Sequence, residues 1–215
     1  DDHYSEGFFH KGDFSVHGNR MDYACLGEEF SIPFRSLYSK NIDNLMMAGR
    51  NISATHLAMS DTRVMLTCAI LGHTAGTGAA ICIKENTTPR GLYQKHIKKL
   101  QQKLLKEGSY IIDLKADDPR DLAPKSSIRA SSADGQMIPE NVVNGYSRAE
   151  GENPNAWRPE QGDGPPQWIE LSWDRPVSFN MVHIYFQTAR LSPEHFYLEI
   201  WHDDQWVKVA EVTEN

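Results

Sequence analysis

Apolar and polar positions sort this chain into two textures. In the first, Leu45-Met46-Met47-Ala48 is a short apolar run that reads as a buried strand. It ends at Gly49 and a polar string, Arg50-Asn51-Ile52-Ser53-Ala54-Thr55-His56. A plain turn needs less hydrogen-bonding chemistry than that, so this tip is a candidate for holding a ligand. A few residues on, Ser60 or Asp61 can cap a helix that Thr62-Arg63-Val64-Met65 opens and "LTCAILGHTAGTGAAICIKEN" continues, as far as Lys84. Glycine costs a helix about 1 kcal/mol against alanine. Gly72 and Gly76 on nearly one face therefore predict close backbone packing against a sheet. A second helix has Thr88 as its cap, Pro89 at its first position and Gly108 as its stop. Tyr93, Ile97, Leu100 and Leu104 form its core stripe, and lysines form the other face.

The texture changes near residue 113. "DLKADDPRDLAP" is charged and proline-bearing and reads as a linker. After it, aromatic and β-branched residues alternate with polar ones in "QWIELSW", "VSFNMVHIYFQ", "HFYLEIW" and "QWVKVAEV", which predict strands. The expected class is α+β and multidomain: residues 1–112, a linker at 113–121, and a β-rich part at 122–215.

Composition narrows the function classes. The 215 residues are 40% hydrophobic and 24% charged, ordinary for a globular protein. A net charge of −7 leaves no broad basic surface, so no nucleic acid partner is expected. No apolar run is expected to reach the ~20 residues of a membrane span. The lysine face of the second helix fits either solvent or a membrane surface. Cys25, Cys68 and Cys82 form neither a disulfide framework nor a zinc motif, and Cys68 and Cys82 read as small packing residues. The nine histidines include no close pair with ligand spacing, so no metal site is expected from them. Asn51-Ile52-Ser53 and Asn86-Thr87-Thr88 match the short glycosylation pattern. The opening "DDHYSEGFF" lacks the features of a signal peptide and reads like the middle of a protein.

The richest chemistry lies where the polar tip meets the first helix. Free N–H groups and the dipole at a helix N-terminus favour an anionic or electron-rich partner. Strand, tip, loop and helix start together make the kind of crevice in which α/β proteins bind ligands. Asp2, His3, Arg35, His56 and Arg63 are candidates for substrate contact or proton transfer. The plainer account of Asp2 and His3 is a polar strand at a domain edge.

Residues 38–80, "YSKNIDNLMMAGRNISATHLAMSDTRVMLTCAILGHTAGTGAA", resemble the C-terminal part of a family of FAD-dependent oxidoreductases, some of whose members carry a xanthan lyase label. The match extends over about residues 1–110 and includes "DDHY" and "IPFRSLYSKN". The resemblance implies FAD as cofactor and an α/β domain represented here by one strand and two helices. It places Gly49, Arg50, Thr62, Arg63, Val64 and Met65 beside the FAD, with Asn51, Ser53 and His56 near them. Gly49 would let backbone approach a ligand, Arg50 would meet the diphosphate, and N–H groups near Arg63, Val64 and Met65 would stabilise negative charge on reduced flavin. The family's Gly-x-Gly-x-x-Gly loop has no counterpart here; "GHTAGTG" has the wrong spacing and lies inside a helix. The expected partner is therefore a dinucleotide-binding region of the same protein, N-terminal to this sequence, without which the chain would not hold FAD.

From Leu122 onward the chain resembles a discoidin (F5/8 type C) domain, in "ASS" at 130–132, Asn141 to Gly145, Trp157, Gln167-Trp168 and Met181 to Phe186. The fold this implies is a jelly-roll β-sandwich, cut short at Asn215. Family members often hold Ca2+ near a "DG" loop, but Asn144 here removes a charge. Arg148, Trp157, Arg158 and His195 are the candidates for glycan binding; core packing is the other account of Trp157 and the better one for Trp168. The combined reading is hydride transfer to FAD from a carbohydrate-like hydroxyl, with an appended glycan module, in a periplasmic or secreted bacterial protein. The second reading is a carbohydrate-binding or scaffolding protein without flavin activity.

Overall fold

The computed structural model describes residues 3–5, 10–13, 22–25, 30–162, 164, 166–186 and 192–213. The chain divides into two compact units, Asp1–Asp174 and Arg175–Asn215. Described residues mix helices with small antiparallel pairs, in keeping with an α+β class.

In the first unit, strands β1 (His3–Ser5) and β4 (Ser31–Pro33) pair antiparallel, as do β2 (His10–Asp13) and β3 (Asp22–Cys25). After β4 a 3-10 turn, Phe34–Leu37, turns both Phe34 and Leu37 into the core. The strand expected over Leu45–Ala48 does not form. Residues 42–48 instead fold back on the 3-10 turn through a single bridge, Tyr38 to Met46, with Met47 N–H on the Leu37 carbonyl at 2.8 Å. Met46 and Ala48 still pack on the core, so the apolar run records burial without a ladder.

Four helices follow: α1 (His56–Thr62), α2 (Met65–Lys84), α3 (Pro89–Lys95) and α4 (Ile97–Lys106). The helix expected to open at Thr62 behind a Ser60 or Asp61 cap opens at Met65 instead, and Ser60, Asp61 and Thr62 belong to the separate α1. Thr55 caps α1 by accepting the Ala58 N–H, and the chain leaves the helix at Arg63 and at Val64, which is extended (φ −70°, ψ 150°). The second expected helix breaks at His96 (φ −130°). In a straight helix Leu92 would stand about 80° around the axis from Leu100. The break lets both be fully buried.

The core gathers Phe34, Leu37, Leu71, Leu92, Leu100, Leu104 and Ile111. Along α2 the buried face is Thr67, Leu71, Thr74, Gly78, Ile81 and Cys82. Gly78 is the close-packed glycine, since a Cβ there would lie 3.3 Å from Met46 and 3.5 Å from Phe34. Gly72 and Gly76 do not pack closely as expected; beyond the neighbouring backbone of their own helix, no atom lies within 4 Å of where their Cβ would be. They sit on the opposite face with Met65, Ala69, Ala80 and Ile83, all exposed. This second apolar face makes α2 long and apolar enough to cross a membrane by length and composition, against the expectation that no such run exists.

Residues 113–121 run along α4. The Gln102 amide donates to the Lys115 carbonyl and accepts the Asp117 N–H, Lys106 pairs with Asp118 at 2.7 Å, and the Ala116 N–H meets the Gly145 carbonyl at 2.8 Å. Gly145 has φ 91°, and a Cβ there would lie 2.8 Å from the Ala116 carbonyl oxygen. Gly145→Ala is expected to destabilise the unit by about 1–2 kcal/mol from backbone conformation alone, read as a lower denaturation midpoint.

The Arg120 guanidinium, and after it the Lys106 ammonium, hold the Asp118 carboxyl well below the usual carboxylate range. Unfolded, it would protonate at about 3.9. Its stabilisation is thus complete above that pH and is lost as the pH falls through the lower folded value. Amide exchange at Ala116 and Asp117, corrected for its intrinsic rate, is expected to accelerate below about pH 3. Asp118→Asn should remove that acid dependence.

Further on, β5 (Ser127–Ala130) pairs antiparallel with β6 (Ile169–Ser172). Trp168, expected in the core, is 44% exposed at the edge of β6. In the second unit, β7 (His195–His202) and β8 (Gln205–Thr213) form a hairpin across Asp203 and Asp204, whose φ values of 49° and 60° suit the tight turn that right-twisted strands favour. Trp201 and Trp206 pack edge to face beside that turn. Residues 177–186, expected as a strand, pair with no strand among the described residues.

Candidate functional site

The expected FAD neighbours cluster where the loop after Met47 meets the joint between α1 and α2. Gly49 has φ 88°, a conformation that side chains with a Cβ adopt at a cost. Ile52 is buried, and the Ser53 N–H bonds the Ser36 carbonyl at 2.9 Å. These two contacts anchor the loop and leave Arg50, Asn51 and Ser53 exposed around them.

Arg50 does not reach into solvent alone. Its Nε donates to the Arg63 carbonyl at 3.3 Å. Thr62 is 5% exposed and its hydroxyl donates to the Met59 sulfur, so it belongs to the joint's interior. Cys68, read from sequence as a packing residue, donates its Sγ–H to the Thr62 carbonyl at 3.7 Å. No local pattern announces this role, because the cysteine and its acceptor meet only once the chain has left α1.

α2 starts with no side-chain cap and no acidic residue in its first turn. Its first intrahelical bond is Cys68 N–H to the Val64 carbonyl at 2.9 Å. N–H groups before that point have no helical acceptor. The helix dipole and the Arg63 side chain add positive potential, and among the described residues the Arg63 guanidinium makes no hydrogen bond or ion pair. Val64, Met65 and Leu66 are exposed beside it, the last two at 84% and 78%. A helix N-terminus without a side-chain cap, a guanidinium and an exposed apolar ledge fit a planar aromatic ligand bearing negative charge.

Other candidates lie apart from this cluster or are engaged elsewhere. His56 is exposed at the start of α1. Arg35 binds the Tyr93 hydroxyl of α3 at 2.7 Å and stacks on that ring. His3 lies in the β1–β4 ladder opposite Pro33, and Asp2 lies outside the described residues. Arg148 covers the Tyr110 ring, the Trp157 indole N–H bonds the Ser132 carbonyl, and Arg158 bridges Asp134 through two nitrogens. Those three belong to the first unit, whereas His195 pairs with Glu211 in the second. Among the described residues no group of three or more His, Cys, Asp or Glu is placed to hold a metal ion.

No curated relative and no solved structure matches the chain. Residues 1–104, which carry the start of α2 and its arginines, match the family model described as FAD dependent oxidoreductase, whose cofactor is FAD.

Proposed function

We propose that this chain supplies the flavin-facing helix of an FAD-dependent oxidoreductase that takes hydride from a hydroxyl-bearing, carbohydrate-like substrate. The observation that carries this reading is the start of α2: no cap, no acidic residue, Arg63 beside it and an exposed apolar ledge. FAD, when bound, supplies the two-electron acceptor. The chain's own part is electrostatic and steric. N–H groups of the first turn and the Arg63 guanidinium stabilise negative charge placed against them. Val64, Met65 and Leu66 cover the ligand's apolar surface and exclude water. The dinucleotide-binding region is a separate part of the same protein, and it covers the exposed face of α2 formed by Met65, Ala69, Gly72, Gly76, Ala80 and Ile83. Small residues at 72, 76 and 80 suit that close approach.

The β-rich part is read as a discoidin-like jelly-roll module that binds glycans. Its support is the antiparallel pairing of β5–β6 and β7–β8 and the exposure of Tyr197, Trp201 and Trp206. Rings with polar tips at a wet surface are suited to ligands that are apolar on one side.

The test is an absorbance spectrum of the whole protein bearing this sequence, purified without added cofactor. A flavin band near the visible blue is expected. A colourless protein that cannot be reconstituted with FAD would overturn the oxidoreductase reading and favour a glycan-binding protein without flavin. Titration with a panel of oligosaccharides tests the module, and no heat from any of them would remove it.

A further inference from the structure

The carbonyls of Thr62 and Arg63 stand at the joint between α1 and α2, outside the ladder that begins with Cys68 N–H on the Val64 carbonyl. Carbonyls at a helix end need outside partners. Two side chains reach them: Cys68 Sγ meets Thr62, and Arg50 Nε meets Arg63. Arg50 comes from a different part of the chain, 13 residues earlier, on a loop fixed by Ile52 and by Ser53 N–H on the Ser36 carbonyl. It therefore ties the head of α2 to the anchored loop, while the Arg63 backbone is held and its guanidinium stays outward.

We propose that Arg50 is a positioning residue, which sets the direction of the first turn of α2 by holding the Arg63 carbonyl, and that Arg63 presents the charge to the ligand. This rests on the reading of that turn as flavin-facing. Division of labour between the two arginines follows from geometry, because the Nε–H of Arg50 is engaged by a backbone carbonyl while Arg63 contributes that carbonyl and stays exposed.

The experiment is amide hydrogen exchange on the 215-residue chain, with no flavin present, comparing wild type, Arg50→Met and Arg50→Lys. Arg50→Met should speed exchange at Cys68, the first bonded amide of α2, by about tenfold, with Leu100 and Leu104 of α4 within about twofold of wild type. Arg50→Lys keeps a donor and should restore most of the protection at Cys68. An unchanged Cys68 rate in Arg50→Met would overturn the proposal, as would acceleration spread equally over α4. Since exchange is read without cofactor, failure of the wild-type protein to bind FAD would overturn the flavin reading alone.

Discussion

Leu71→Ala is expected to lower the unfolding free energy by about 3 kcal/mol, within the usual span for a buried leucine cut to alanine. Leu71 is fully buried on the core face of α2, amid Phe34, Leu92 and Leu100 in the same core. The loss combines the transfer of its methyl groups to water with a cavity that a packed helix cannot collapse around. Ile83→Ala is the control. Ile83 is as apolar but 84% exposed, so its truncation should change stability by less than about 0.5 kcal/mol. Denaturant unfolding followed by far-ultraviolet circular dichroism reads both. Equal costs would mean that the two faces of α2 are packed alike, contrary to the structure.

The second large effect concerns Arg63→Gln in the FAD-loaded protein. Removing the guanidinium while keeping a side chain of similar reach should weaken FAD binding about tenfold, since hydrogen bonds to charged groups are worth about 1.5–3 kcal/mol. If the charge acts more strongly on reduced than on oxidised flavin, the midpoint potential should fall as well. A difference of about 1.4 kcal/mol corresponds to about 30 mV for a two-electron couple. Redox titration against a dye of known potential measures this. A potential unchanged alongside unchanged affinity would show that Arg63 does not face the flavin.

These two expectations differ in how far the sequence alone could reach them. The existence of α2 was legible, because the largely apolar stretch from Met65 to Lys84 has neither strand alternation nor a proline. Which of its faces would be buried was not. Both faces are apolar, so periodicity cannot choose between them, and the glycines pointed to the wrong one. The break at Arg63 and Val64 was hidden for another reason. It depends on Arg50 and Cys68 reaching carbonyls at the joint, contacts that arise from the fold and leave no local pattern. The run Leu45–Ala48 misled because apolar residues pressed on a core look alike with or without strand pairing. The β7–β8 hairpin was legible in its alternation, and the Asp203-Asp204 turn agrees with it. At the candidate site, residue types and neighbourhood came from sequence, and the bond from Arg50 Nε to the Arg63 carbonyl came from structure. The Trp157 indole N–H bond to the Ser132 carbonyl is likewise a contact that no local pattern announces.

The bare side of α2 also bears on how such a protein is made and handled. Met65, Ala69, Gly72, Gly76, Ala80 and Ile83 form a strip about 27 Å long on a helix whose other side is already sealed. A hydrophobic dye should light up on this chain, and on the proposed reading it should go dark when a dinucleotide-binding region covers the strip. Until then the strip invites self-association and chaperone capture, so production yield should rise when Ala80 and Ile83 are changed to lysine, with the fold intact. On the proposed reading the same pair of changes should ruin docking of the dinucleotide-binding region, which separates a folding surface from a joining one.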